Sequence, residues 1–264
     1  MMKTELFFMQ NKVLKLLLFL VLPAQIVVAQ VNTEALRKQD AAEGWSANFS
    51  FDMAYNAGNS EYLKLKAGSR IDVKFTPFSA FLVGNYQRGL EANELFINKA
   101  FVHGRLMRSV FGSQQVEVFL QKEFNDFIKL KDRELVGGGL RFQLVNQDSA
   151  KQSIVAYLGV GIMWEHESLD LETSVQDKNQ FRSTNYLSIR WRIDERLRFL
   201  VIGYFQPSLE SSSDYRLLSE STLAFNLTKQ VVFRTTVNYR RDNEPPAGVK
   251  SYDLELSNGI SVLF

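Results

Sequence analysis

The chain has 264 residues, no cysteine, two histidines, and 31 basic against 29 acidic side chains. Without cysteine it has no disulfides, thiolate metal sites or cysteine nucleophile, and its balanced charge leaves no basic surface for nucleic acid. With 21 Phe, 9 Tyr and 3 Trp but only 5 Pro, it is rich in strand formers.

Taken in order, Lys12 and Lys15 precede an apolar run at 16–22, then Pro23, then Val27-Val28-Ala29 before Gln30. A basic start, a short apolar stretch and small residues before a cut mark an export signal, so residues 1–29 are expected to be removed. The apolar run is well short of the ~20 residues that a spanning helix needs. Met1 and Met9 are alternative starts, and Met9 gives the more ordinary signal length. Cleavage removes three Lys and one Glu, leaving a mature chain near zero net charge. No later stretch is apolar for long enough to make a transmembrane helix. Residues 30–44, containing V-N-T-E-A-L-R-K-Q, are polar. They are expected to be a helical turn or unstructured, and to lie in the periplasm.

From Trp45 onward the period is two. Trp45, Ala47, Phe49, Phe51, Met53 and Tyr55 share one face, with Ser46, Asn48, Ser50 and Asp52 opposite. Leu63, Leu65, Ile71, Val73 and Phe75 then alternate with Lys64, Lys66, Arg70 and Lys74. Further strands are expected near 78–88, 94–107, 115–124, 133–144, 153–165, 184–193, 197–205, 214–227, 229–240 and 249–264. The third and fourth alternate poorly. T-P-F, V-F-G-S, V-N-Q-D-S-A, I-D-E-R and L-T-K make tight turns. Longer polar connections are expected around 89–93, 125–132, 166–183, 206–213 and 241–248, although 124–132 could instead extend two strands into a long hairpin, and only the turn at Ala57-Gly58-Asn59 is short on that side.

Short turns at one end, long loops at the other and an even strand count describe an all-β, membrane-spanning, antiparallel up-and-down β-barrel of about 12 strands over 45–264. A soluble barrel or sandwich would bury the apolar face of each strand in one core, but if this sheet closes it is the charged face that converges, which a soluble core does not tolerate. Aromatics fall at two levels. Trp45, Phe75, Phe78, Trp191 and Phe264 occupy one, and Tyr55, Tyr62, Tyr86, Trp164, Tyr239 and Tyr252 the other, as interfacial girdles would.

The last strand alternates Tyr252, Leu254, Leu256, Ile260 and Val262 with Asp253, Glu255, Ser257, Gly259 and Ser261, and ends on Phe264. Ser257, Gly259, Val262 and Phe264 stand where the outer-membrane assembly signal places a polar residue, a glycine, an aromatic and a terminal hydrophobe. Val262 departs from that aromatic. The strand resembles the recognition strand read by the barrel-assembly machinery. V-N-T-E-A-L-R, G-W-S-A-N-F-S-F-D, the G-N-S turn and the terminal Phe together resemble the YdiY-like, salt-induced outer membrane protein family of bacterial barrels. That resemblance implies a bacterial outer-membrane barrel, in contact with outer-membrane lipid, and carries over no site.

Catalysis is not expected. His103 lies on a strand beside Arg105, and His166 is flanked by Glu165, Glu167 and Ser168, but adjacent strand residues point to opposite faces. Glu167, Asp170, Glu172 and Asp177 would suit Ca²⁺ by their oxygens, yet their spacing matches no known loop. Gly137-Gly138-Gly139 lacks the Lys-Ser/Thr of a phosphate loop and reads as relief of crowding, as do Gly159 and Gly161. No cofactor or metal is called for. The functional expectation rests on the inward charges: Lys64, Lys66, Arg70, Arg190, Arg192 and Arg234, with Asp52, Glu117, Glu220 and Glu255 as counter-charges. They would line a narrow channel for ions or small solutes. Alternatively they pair across the interior and plug it, leaving a structural or envelope-stress barrel whose outer loops bind a partner.

Overall fold

The computed structural model describes residues 32–38, 42–58, 61–92, 94–171 and 174–262. The expected signal, both candidate starts and Phe264 lie outside them. The described residues form one sheet of twelve antiparallel strands, each bonded to its sequence neighbours. They are β1 (Gly44–Asn56), β2 (Tyr62–Phe75), β3 (Phe78–Glu91), β4 (Glu94–Phe111), β5 (Gln114–Asn125), β6 (Leu130–Asp148), β7 (Ser153–Leu171), β8 (Ser174–Arg192), β9 (Leu197–Pro207), β10 (Tyr215–Asn226), β11 (Val231–Asp242) and β12 (Tyr252–Val262).

Every expected strand is present, and the tight turns fall where expected at one end of the sheet. The other end differs. β6, β7 and β8 each run 19 residues, so the stretch at 166–183 is not a loop. Its register is unbroken from Ser153↔Arg192 to Leu171↔Ser174. The polarity that suggested a loop belongs to strands that remain hydrogen-bonded. Residues 125–132 likewise hold only a short 3-10 turn, Asp126–Ile128, before β6 begins.

Burial is inverted relative to a soluble sheet. On β5, Val118 and Leu120 are 51% and 62% exposed while Glu117 is 5% exposed. The sheet curls so that its polar face converges: Lys99 on β4 lies within electrostatic reach of Lys64 and Lys66 on β2, Arg240 on β11 and Glu255 on β12. Among the described residues, no register joins β12 back to β1.

β3 alternates poorly for a physical reason. Phe81 and Val83 face inward with Met107 in an apolar cluster that receives Leu36, while Leu82 faces out. Both faces are therefore oily. The glycines of β6 and β7 lie where the backbones approach closely. A Cβ on Gly139 would stand 2.5 Å from the Val160 carbonyl oxygen, and one on Gly161 equally close to that of Gly138. A Cβ on Gly159 would collide with the ring of Tyr186, which lies flat across it.

This fit is testable. Gly159→Ala is expected to lower stability to urea by about 1–3 kcal/mol through overpacking. In a Tyr186→Ala background the same change is expected to cost much less, which a double-mutant cycle would measure.

Candidate functional site: the charged interior

Residues 32–37 do not lie beyond the strands, where the sequence placed them. They form a turn packed inside the curl of the sheet, with Asn32, Thr33, Glu34 and Arg37 buried. The turn is local: Asn32 Oδ1 accepts the Ala35 N–H at 3.1 Å, and the Arg37 N–H donates to the Glu34 carbonyl at 3.1 Å. Ala35 packs against the cluster of Tyr186, Ile202, Tyr204 and Leu218, and Leu36 against Phe81, Val83 and Met107. Two small apolar wedges thus seat the segment between opposite walls.

Glu34 is fully buried and is the hub of a first charge network. It accepts from Arg37 Nε at 2.8 Å and Arg141 Nη2 at 3.0 Å, with Arg105 Nη1 at 3.9 Å. Its own N–H donates to the Tyr204 hydroxyl at 2.9 Å. Glu117, across the interior, accepts from Arg37 Nη2, from Arg105 Nη1 at 3.4 Å and from the Tyr186 hydroxyl at 3.2 Å. Arg105 Nη2 donates to Thr33 Oγ1 at 2.6 Å, and Asn32 Nδ2 to Glu220 at 3.0 Å. Lys38 reaches Asp72 at 2.6 Å, where Arg70 also binds through two nitrogens. A buried carboxylate among guanidiniums in this geometry recovers its desolvation cost, and a lone one would not.

A second network fills the end nearer the β7–β8 hairpin. Glu165, fully buried, accepts from Arg182 Nε at 2.5 Å and Arg216 Nη1, and lies 3.1 Å from Arg133 Nε. Glu167 accepts from Arg133 at 3.0 Å and Arg216 at 2.6 Å. Arg133 continues to Glu123, Arg182 to Asp214 and Arg216 to Asp242, at 2.8, 2.8 and 2.9 Å. Between the networks lies a cavity of about 40 Å³ lined by His103, Thr184, Tyr204 and Gln206 among others. At roughly 10–15 Å³ per water it holds only a few.

The charges expected to line an open path are distributed otherwise. Arg70 and Glu117 are taken by the ion pairs above, Glu220 is bound by Asn32, and Arg190 Nη2 donates to the Arg37 carbonyl at 3.3 Å. Glu255 meets Asn238 at 3.5 Å. Lys64 stands half-buried near Lys99, while Lys66, Asp52 and Arg234 are exposed. Arg192 lies on the same face as Arg190, at the end of β8. It reaches Asp148 at 3.0 Å and the Ser149 carbonyl at 2.8 Å, at the β6–β7 turn. Ser257, Gly259 and Val262 lie on β12, opposite Thr236, Arg234 and Val231.

Glu167 is not a surface loop ligand, since both network arginines hold it inside; Asp170 and Asp177 are exposed on the hairpin, and Glu172 lies outside the described residues. His103 is buried, with Nδ1 3.0 Å from Gln121 Oε1. His166 stacks on Trp164 and meets Asn179 Oδ1 at 3.0 Å.

The protein is thus an all-β, twelve-stranded, up-and-down sheet with an ion-paired polar interior. Residues 45–264 match the family described as "Protein of unknown function, DUF481". The chain belongs to that family, which is the YdiY-like one suggested by its motifs. A search of curated proteins gave no match. Among solved structures, the transport unit of the autotransporter AIDA-I from Escherichia coli is similar at 12% identity and a TM-score of 0.39, covering 90% of this chain and 93% of that one.

Two expectations follow. Glu165→Ala leaves Arg133, Arg182 and Arg216 facing one another, and is expected to cost about 3–5 kcal/mol in urea unfolding. Asp214, in the β9–β10 connection, is pushed up by burial, but hydrogen bonds from Lys178 and Arg182 outweigh this and hold its carboxyl below the usual range. A lowered folded-state value means that the contact's stabilisation is complete above about pH 5 and fades as pH falls through ~4 and below. Asp214→Asn is therefore expected to lower stability at neutral pH and to flatten this acid limb of the pH–stability curve.

Proposed function

We propose that this protein is a bacterial outer-membrane β-barrel, closed on itself in the bilayer and sealed by its own N-terminal segment. In this reading it is a plugged structural barrel whose loop end meets partners, with no catalytic role. The exposed apolar face over a buried charged one supports the membrane placement, because only a barrel with lipid outside and polar groups inside is stable that way round. Closure of β1 on β12 follows from the same setting, since an unpaired sheet edge in hydrocarbon costs several kcal/mol per bare backbone group. The observation that carries the plugged reading is Glu34. A fully buried carboxylate tied to Arg37 and Arg141, within a segment also bound to Tyr204 and Glu220, occupies the space through which a solute would pass.

One observation favours a second reading, a narrow ion path. Lys64, Asn238, Arg240 and Glu255, on β2, β11 and β12, are only half-buried and Lys66 is exposed, so a wet route along that side would bypass the segment. Conductance in a planar bilayer separates the two. The refolded protein is expected to be silent, and a variant lacking residues 32–38 is expected to give steady steps. Steps from the unaltered protein that change when Lys64 and Lys66 become Glu would overturn the plugged reading in favour of the path.

A further inference from the structure

The buried segment ends beside a wall whose carboxylates lack close cations. Glu220 on β10, Asn238 on β11 and Glu255 on β12 are register partners in one inward row. Asn32 Nδ2 donates to Glu220 at 3.0 Å, and Asn238 Nδ2 to Glu255 at 3.5 Å. Both donors are neutral amides. Arg240 lies within electrostatic reach of both carboxylates, and Lys99 of Glu255, yet among the described residues no ion pair closes on either carboxylate. Glu34, Glu117, Glu165 and Glu167 differ, since at least two guanidiniums stand against each. Glu220 and Glu255 are only half-buried, so a cation of suitable reach has access to them.

The segment itself points to that cation. It enters the interior at Lys38, which reaches Asp72, and its described part stops at Asn32 against Glu220. Gln30 and Val31 lie outside the described residues. The expected cut between Ala29 and Gln30 is two residues from Asn32, at most ~7 Å of extended chain. Before the cut, the Gln30 nitrogen is a neutral amide with 29 residues attached, Lys12, Lys15 and the apolar run at 16–22 among them. After it, the same nitrogen is a primary amine, cationic at neutral pH. The cavity between the charge networks, about 40 Å³, has no room for the attached piece.

We propose that removal of the export signal lets the segment take its seat, and that the amine created at Gln30 docks on Glu220 and Glu255. Hydrolysis by an export peptidase adds one water across the Ala29–Gln30 bond. Ala29 leaves as a carboxylate, and Gln30 keeps its nitrogen as an ammonium. Before that step the strands are built and the segment is loose; after it an ion pair holds the segment's end. The proposal rests on the plugged reading, because it concerns how the segment of that reading is locked.

The chain has no cysteine, so Ala35→Cys puts a unique thiol on the segment. Its rate of labelling by a bulky maleimide, in refolded protein in detergent, reports how often the segment leaves its seat. Three forms are compared. One begins at Gln30. In the second, Gln30 is cyclised before refolding, its amine attacking its own side-chain amide to release ammonia and leave a neutral lactam. The third carries an uncut Gly-Ser stretch ahead of Gln30. Labelling is expected to be slow in the first, several-fold faster in the second and at least about tenfold faster in the third. Glu220→Gln with Glu255→Gln is expected to raise the first form to the rate of the second and to leave the second unchanged. Equal rates in the first two forms, or an equal effect of the glutamines on both, would overturn the proposal, and the cyclised form tests it without any change to the wall. Bilayer conductance of the same samples keeps the two readings apart. A silent first form that labels no more slowly than the second sinks the amine docking alone, whereas a conducting first form sinks the plugged reading.

Discussion

Everything in this molecule depends on carrying charge inside a sheet that shows oil to its surroundings. Guanidiniums and carboxylates withdrawn from water cost several kcal/mol each unless they meet at hydrogen-bond distance with their remaining donors and acceptors filled. The interior meets that demand with arginine. Arg37, Arg105, Arg133, Arg182 and Arg216 each span more than one partner, and the planar fork of arginine does this better than a lysine ammonium can. Lysines sit instead where water still reaches, as Lys38, Lys122 and Lys178 do.

The two networks divide the work. The one around Glu165 joins β5, β6, β7, β8, β10 and β11, and so ties the wall to itself. The one around Glu34 ties a separate piece of chain to that wall. Tyr186 and Tyr204 stand between charge and oil: their rings, 5.3 Å apart, join the apolar cluster while their hydroxyls serve the carboxylate side. Gly159 is the condition for this, because any side chain there would displace the Tyr186 ring.

The strand framework was legible because the period of two survives wherever the inner face is polar. β1, β2 and β12 were plain for that reason, and β3 was blurred because Phe81 and Val83 face inward and pack on Leu36. Strand ends at the hairpin side were underestimated, since Glu167, Lys178 and Arg182 look like loop residues until their partners are known. Inward charges could be sorted by face, but not by partner. Arg192 shares its face with Arg190, yet at the strand end it is captured by the β6–β7 turn. The buried N-terminal segment was the largest omission. Residues 32–37 are short, polar and without strand period, and nothing local says that Glu34 will be the most enclosed carboxylate of the first network. Arginines at 105 and 141 in excess of nearby acids were the available signal, and a carboxylate from elsewhere was its natural complement.

The same segment sets an order on the making of the protein. Its partners lie far along the chain: Arg37 bonds to Gln115, Thr33 to Tyr204 and Asn32 to Glu220, the last 188 positions away. Contacts of such long range form late, because their loop-closure cost is met only when the intervening chain is already in place. The first described part of the chain is thus the last to find its seat. Until β9 and β10 have joined the sheet, the segment lacks Tyr204, Leu218 and Glu220. Seating the segment therefore follows wall building, and a sheet stopped before it would have every strand and an interior without Glu34.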